Sequence, residues 1–395
     1  MLLKEAQEIL GKTLSPISYD QFFDDFVGQK PLILQGNDPN NRHLFLGDNP
    51  KKVILEAYEK YAPALRCHNH TPKVPPPIAK AVPSEAAFQE LISEYHKRDY
   101  TVRIPDVEGI SPELSLFTRA LEVILRKPAG ALIFWSGVNA KAPIHYDRVD
   151  VIAIQLAGTK RWHISNDQAQ MPNKWPRIGD KPAALGHYST YDVKPGDLLY
   201  FPRGTAHTVE STSESIHVAI EFVPVTIRDA INSVLDNLSN LNRPIRLDAG
   251  SRADDLASGK GIEVISKQIL NGLSDLSRNC QSETFIEQAL DHTYARMVKD
   301  LPKLERPQAL PQVTVTSKVK HNVLAIAQLM TTPDTLDFTQ PGEQILIHRG
   351  VEESMHFIAN MPEFHVSEIP GEIGDDVRIA LVTRMLMTGF LELIQ

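Results

Sequence analysis

At 395 residues the chain is long enough to bury a large core and to divide into two or three domains, and its 42% apolar and 23% charged content is that of an ordinary soluble globular protein. A net charge of -8 gives no reason to expect a nucleic-acid or anionic-membrane partner. Two cysteines, Cys67 and Cys280, are too few and too far apart for a disulfide framework or a CxxC site, so a reducing, cytoplasmic compartment is expected.

The opening MLLKEAQEIL carries acidic residues early and no long apolar run, so it reads as neither signal peptide nor anchor. No apolar stretch approaches the roughly 18 residues of a membrane span. Residues 1–30 read as short helices, with Ser18 as N-cap before Tyr19, Phe22, Phe23 and Phe26. Gln29-Lys30-Pro31 ends that run, and Leu32-Ile33-Leu34 predicts a first buried strand. Residues 38–80, rich in Asn and Pro and including Pro75-Pro76-Pro77, predict loop with one helix near 51–60. The cluster Cys67-His68-Asn69-His70 lacks partners at the spacing of a closed metal site.

Ser84–Arg98 and Ser111–Leu125 place their apolar residues on one helical face, as helices packed on the outside of a sheet do. Strand-like runs follow: Ala131–Trp135, Val149–Leu156, Arg161–Ile164, Leu198–Phe201 and Ile216–Phe222. They are separated by turn signals such as Ala157-Gly158 and Lys194-Pro195-Gly196-Asp197, without helix-length crossovers. An antiparallel β-barrel or jelly roll is therefore expected. Beyond Phe222, Ile227–Leu241, Gly261–Leu276 and Thr284–Leu301 predict amphipathic helices. A Pro-rich link, 302–311, leads to a last unit with a strand at Ile345–Ile347, helices near 351–359 and 375–388, and a terminal strand at Phe390–Ile394. That order suggests a winged-helix module. From residue 340 onward three basic residues face nine acidic ones, the wrong sign for phosphate contact, so a protein-interaction role is expected rather than DNA binding.

The chemistry concentrates between Pro143 and Phe222. On a strand, His145 and Asp147 would share one face, and a closed barrel would bring His207 across to them. Two imidazoles and a carboxylate can hold one face of a metal and leave the other open, the arrangement of non-haem Fe(II) oxygenases. Lys160 follows the Gly158 turn, where the next strand would run beside the first. Deep in a barrel its ammonium could anchor an anionic co-substrate, and Ser136 could donate a hydroxyl to the same carboxylate. Arg161, by alternation, should face outward.

Pro143-Ile144-His145-Tyr146-Asp147, Val149-Asp150-Val151, Gln155, Gly158, Lys160-Arg161-Trp162, Pro195-Gly196-Asp197, Tyr200-Phe201-Pro202 and His207 together resemble the JmjC, or cupin-like, family of Fe(II)- and 2-oxoglutarate-dependent oxygenases. Lys30-Pro31-Leu32-Ile33-Leu34 is similar to the segment that precedes the barrel in that family. The order of barrel, helical region and winged helix resembles the ribosomal oxygenases, which hydroxylate ribosomal-protein side chains and dimerise through the helical region.

The resemblance implies a mainly β catalytic core, a double-stranded β-helix of jelly-roll or cupin type with flanking helices. It implies domains at 1–224 (catalytic), 225–305 (helical, dimerising) and 312–395 (small α+β, winged-helix-like). His145, Asp147 and His207 would be catalytic metal ligands for Fe(II). Lys160 would bind the distal carboxylate of 2-oxoglutarate beside Ser136, and O2 would be the second co-substrate. Bacterial ribosomal oxygenases carry Arg where this chain has Lys160, the family's glycine-rich lead-in is replaced by residues 136–142, and an Asn often found after the second His has no clear match. His217 is a candidate replacement for it. The expected activity is hydroxylation of a protein or peptide side chain by a homodimer. The alternatives are an oxygenase of natural-product biosynthesis acting on a modified peptide or free amino acid, and a non-catalytic cupin binding protein.

Overall fold

The computed structural model describes residues 1–36, 38–70, 81–172, 175, 184–247, 260–309 and 312–394; Pro75–Pro77 lie outside them. The chain forms two compact units, Leu2–Val223 and Pro224–Gln395.

In the first unit the helices α1 (Leu3–Leu14), α2 (Tyr19–Asp25), α3 (Pro50–Glu56), α4 (Tyr58–Tyr61), α5 (Glu85–His96) and α6 (Pro112–Leu125) accompany a sheet. Ser18, Ser84 and Ser111 cap α2, α5 and α6, each hydroxyl accepting from the backbone N–H three residues on. Such a cap contributes about 1 kcal/mol, because it satisfies a donor the helix start leaves free.

The sheet has seven strands: β1 (Leu32–Leu34), β2 (Arg66–His68), β3 (Thr101–Ile104), β4 (Ala129–Ser136), β5 (Asp150–Ala157), β8 (Leu198–Phe201) and β10 (Ser215–Phe222). They run in the order β1-β8-β5-β10-β4-β3-β2, every pair antiparallel. A second sheet holds β7 (Tyr188–Val193), β6 (Lys160–Ser165) and β9 (His207–Ser211), with β6 central. The β-rich core with flanking helices agrees with the expected class.

Strand parity sorts the side chains. Ile152, Ile154, Leu198, Tyr200, Ile216, Val218, Ile220 and Phe222 join Phe22, Phe88 and Phe117 in the large core on the helix side. Val151, Ala153, Leu199, Phe201 and Ala219 point the other way and meet Trp162 and Ile164 of the second sheet. Both faces of the large sheet are therefore covered, which is why its strands read as near-continuous apolar runs.

Two expectations fail in instructive ways. His145 and Asp147 do not lie on a strand: His145 makes one isolated bridge to His207, and the chain is irregular from 146 to 149. Nor does the strand of Lys160 run beside β5, since β6 pairs with β7 and β9 in the opposite sheet. Gly158 makes that crossing possible. Its φ is +63°, and a Cβ there would meet the Glu214 carbonyl at 2.0 Å, so only glycine fits the turn. At Lys194-Pro195-Gly196-Asp197, Gly196 takes φ +91°, as the third position of a type II turn requires. Asp197 locks this turn by accepting from the N–H groups of Lys194 and Gly36.

The second unit holds α7 (Ile227–Leu241), α8 (Lys260–Asn279) and α9 (Glu283–Asp300), followed by two small sheets. Val234 and Leu238 of α7 pack on Phe285 and Ala289 of α9. One sheet is β12 (Gln328–Thr331), β13 (Thr335–Gln340) and β14 (Glu343–His348), and the other places β11 (Lys318–His321) between β15 (Glu363–His365) and β16 (Leu391–Ile394). Helices α10 (Glu352–Asn360) and α11 (Asp375–Met387) complete it. Their Met355, Ile358, Val382 and Met385 share a core with Phe338, Phe364 and Phe390. The strands β11, β12, β13 and β15 have no counterpart in the sequence expectation.

Candidate active site

A cavity of about 460 Å³ opens between the two sheets of the first unit, lined by His145, Asp147, Lys160, His207 and His217 among others. At one end the donor atoms of His145, Asp147 and His207 all lie within 4.8 Å of one another. Among the described residues this is the group able to hold a metal ion, and Cys67, His68 and His70 are not part of one.

The two imidazoles are held by backbone. The His145 N–H donates to the His207 carbonyl at 3.0 Å, and the His207 N–H donates back at 2.8 Å. Each Nδ1 lies at hydrogen-bond distance from the carbonyl two residues before it: Pro143 at 2.8 Å for His145, Thr205 at 2.9 Å for His207. A carbonyl can only accept, so both rings carry their proton on Nδ1 and keep the Nε2 lone pair free. That is the tautomer a metal requires, fixed by the type of outer contact that orients ligating histidines. The Asp147 carboxylate stands 3.5 Å from Nε2 of His207. Burial and the neighbouring His145 push His207 down to about 4, against the pull of Asp147, so its ring is neutral at pH 7. The donor set fits a borderline divalent cation with part of its coordination sphere open.

The other end of the cavity suits an anion. Lys160 is 1% exposed, and its Nζ donates to Ser136 Oγ at 2.9 Å. Ser136 Oγ is also 3.0 Å from Thr101 Oγ1. Among the described residues no carboxylate pairs with this ammonium, and burial alone lowers Lys160 to about 7. A buried cation without a counter-charge is costly, and an incoming carboxylate removes that cost. His217 lies between the ends, its ring stacked on Phe134 at 4.9 Å and edge-on to Trp162 at 5.5 Å. Its Nδ1 and the Trp162 Nε1 are buried with no hydrogen-bond partner among the described residues. Burial, with the charge of Lys160 next, holds His217 well below its ordinary range, so it too is neutral.

Every site residue expected from the sequence therefore lines one cavity: His145, Asp147 and His207 at one end, Lys160 and Ser136 at the other, His217 between. Arg161 faces outward and forms a two-pronged pair with Asp192, at 2.7 and 3.0 Å. Sequence reasoning missed Arg103 and Glu221 and considered His68 only within the cluster at 67–70; all three line the same cavity. Burial and the charges of His145, Lys160 and Arg103 push His68 down to about 4. Parity was the usable signal for Glu221, which continues the inward series of His217 and Ala219 on β10. His68 and Arg103 sit on β2 and β3, too short to show a period.

Residues 119–230 match the family model described as the JmjC domain. The chain carries a JmjC domain. Within and around it, the chain is 30% identical over 224 residues to ribosomal oxygenase 2 of Rattus norvegicus, covering 52% of this chain and 45% of that protein. It is 27% identical over 241 residues to the bifunctional lysine-specific demethylase and histidyl-hydroxylase NO66 of Dictyostelium discoideum, covering 59% and 46%. The chain thus spans less than half the length of these two relatives. In fold it matches YcfD, a ribosomal oxygenase from Escherichia coli solved with cobalt and 2-oxoglutarate, at TM-score 0.51 and 14% identity, over 96% of this chain and 99% of that one. The matched span contains the triad and Lys160, while Cys67 and His68 of β2 and Thr101 and Arg103 of β3 add to the cavity lining from outside it.

Proposed function

We propose that the JmjC domain is a Fe(II)- and 2-oxoglutarate-dependent oxygenase that hydroxylates a side chain of a protein or peptide, giving succinate and CO2. One observation carries this reading: a three-ligand set with both Nε2 lone pairs free shares a cavity with a buried lysine that has no counter-charge among the described residues. The ribosomal-oxygenase and histidyl-hydroxylase relatives support it, as does the cobalt and 2-oxoglutarate complex of YcfD.

His145, Asp147 and His207 would hold the metal. Lys160 and Ser136 would take the distal carboxylate of the co-substrate, and His217 would meet it through the free Nδ1. When bound, Fe(II) and the keto acid supply the activation of O2 and the oxidation of an unactivated C–H bond. The chain's own part is geometric: it orients two imidazoles from backbone carbonyls, neutralises one carboxylate, and excludes water with Trp162, Phe201 and Phe134. No side chain is needed as a base. Anaerobic addition of Fe(II) and 2-oxoglutarate should give a charge-transfer band. Succinate release across ribosomal proteins, peptides and free amino acids should then identify the substrate class. Absence of the band at saturating ligand would end the reading.

For the second unit we read 225–305 as a dimerising helical region and 312–395 as a winged-helix-like module for protein contact rather than DNA. Ile227, Ile231 and Leu235 are exposed at successive turns of α7, and Ile262, Ile269 and Leu273 are exposed along α8, which favours burial against a second copy. Light scattering that shows only monomer at high concentration would refute the dimer. Among the described residues no helix is long and apolar enough to cross a membrane.

A further inference from the structure

Two guanidinium groups in the cavity wall take no part in the chemistry above. Arg66 on the edge strand β2 and Arg103 on β3 stand directly opposite each other in an antiparallel pair. Cys67 and Val102 pack on the helix-side core, so by alternation Arg66, His68, Thr101 and Arg103 face the cavity. Like charges directly opposite raise the free energy of a sheet unless a counter-charge lies between them. Among the described residues none does. Arg103 is half-buried and makes no hydrogen bond or ion pair, and Glu221 feels its charge only from beyond ion-pair distance. Arg66 is exposed and donates through Nη1 to the Ala64 and Leu65 carbonyls, at 3.1 and 3.0 Å. By contrast, Arg161 is paired with Asp192, Lys141 with Glu210, and Arg119 with Glu122.

The register of the sheet leads from this pair to the buried ammonium. His68 stands opposite Thr101, Thr101 opposite Ser136, and Ser136 Oγ accepts from Lys160 Nζ at 2.9 Å. The cavity reaches solvent at Arg66, and β2 and β3 contribute no carboxylate to its lining. The chain as a whole carries -8, which repels a dianion arriving from solvent, so entry depends on a local field of the opposite sign. We propose that Arg66 and Arg103 form an anion-capture site at the β2–β3 edge, a mouth through which a small dicarboxylate travels to and from Lys160. This rests on the hydroxylase reading, which supplies the dicarboxylates: 2-oxoglutarate going in and succinate coming out. The pair acts on transit and not on the final complex. Groups that stabilise only the encounter speed entry and exit alike, and leave the equilibrium affinity where Lys160 and Ser136 set it.

The test mixes the full chain, loaded anaerobically with Fe(II), with 2-oxoglutarate in a stopped-flow cell and follows the growth of the charge-transfer band. The rate of growth against concentration gives association, and the final amplitude gives affinity, both without turnover. A double variant, Arg66→Gln with Arg103→Gln, should associate about tenfold more slowly than wild type while its Kd moves by less than about threefold. Raising the salt from about 0.1 M to about 1 M shortens the screening length from about 10 Å to about 3 Å, which should slow wild type and barely touch the double variant. Replacing both arginines with lysine should restore most of the rate. Arg161→Gln, which removes an exposed charge outside the cavity, should associate as wild type does. A wild-type rate in the double variant, an equal slowing in Arg161→Gln, or affinity or band lost in the double variant without slower association overturns this assignment alone. Wild type without the band overturns the hydroxylase reading and this assignment with it.

Discussion

The two faces of strand β10 are built to opposite standards. Toward the helices, Ile216, Val218, Ile220 and Phe222 are 0 to 2% exposed and entirely aliphatic or aromatic. Toward the cavity, His217, Ala219 and Glu221 leave two polar groups without partners among the described residues. Since side chains alternate along a strand, one eight-residue segment holds the fold together with its even positions and serves the site with its odd ones. Burial on the first face lowers the free energy of the folded state. Burial on the second raises it, and a ligand is needed to bring it down again.

That contrast can be broken most severely at the triad. His207→Ala or Asp147→Ala should abolish the Fe(II) and 2-oxoglutarate charge-transfer band and cut succinate release by more than about 100-fold, with a denaturation midpoint close to wild type. If the midpoint collapsed as well, the two faces would not be separable. On the helix side, Ile220→Ala should cost about 2–5 kcal/mol of stability in urea unfolding, while the fraction still folded keeps the band unchanged.

A finer test replaces Lys160 with Met. Co-substrate affinity should fall roughly 10- to 100-fold, and the ligand-free protein should become no less stable, because a lone buried ammonium has been exchanged for an apolar chain of similar length. Calorimetric titration and denaturation of the same sample give both numbers.

The mildest effect is one of pH. Burial lowers Lys160 to about 7, below its unfolded value, so the unfolded chain binds more protons between that pH and the ordinary lysine range. Ligand-free stability should therefore rise as pH increases across this window. Affinity for 2-oxoglutarate should fall over the same window, by up to about tenfold per pH unit, as the ammonium is lost. A Lys160→Arg variant keeps its charge and should flatten the affinity profile.

Much of this was legible in the chain itself. The apolar runs at 131–135, 149–156 and 216–222 announced a buried antiparallel core, and the HxD pair, the PGD turn and a late histidine announced the triad. The strand placement of His145 failed because a single backbone bridge, rather than a ladder, holds it, and one bridge leaves no period-2 imprint. Lys160 was expected next to β5 but crosses to the other sheet. The positive φ of Gly158 marks a turn without saying where the next strand pairs. Glu221 was passed over because it ends an otherwise apolar strand, where a charged residue reads as the onset of solvent. The strands KVKH and QLMT of the second unit are short and largely polar, so their pairing depends on partners distant in the chain.

His145 and His207 exchange both backbone hydrogen bonds, so their rings are mounted on a single rung. Thermal motion carries such neighbours together, and their spacing survives even when nothing bridges them. Emptying the centre with a chelator should leave the pair standing, ready to be refilled without refolding. Replacement by another divalent ion would then alter reactivity while leaving the architecture alone.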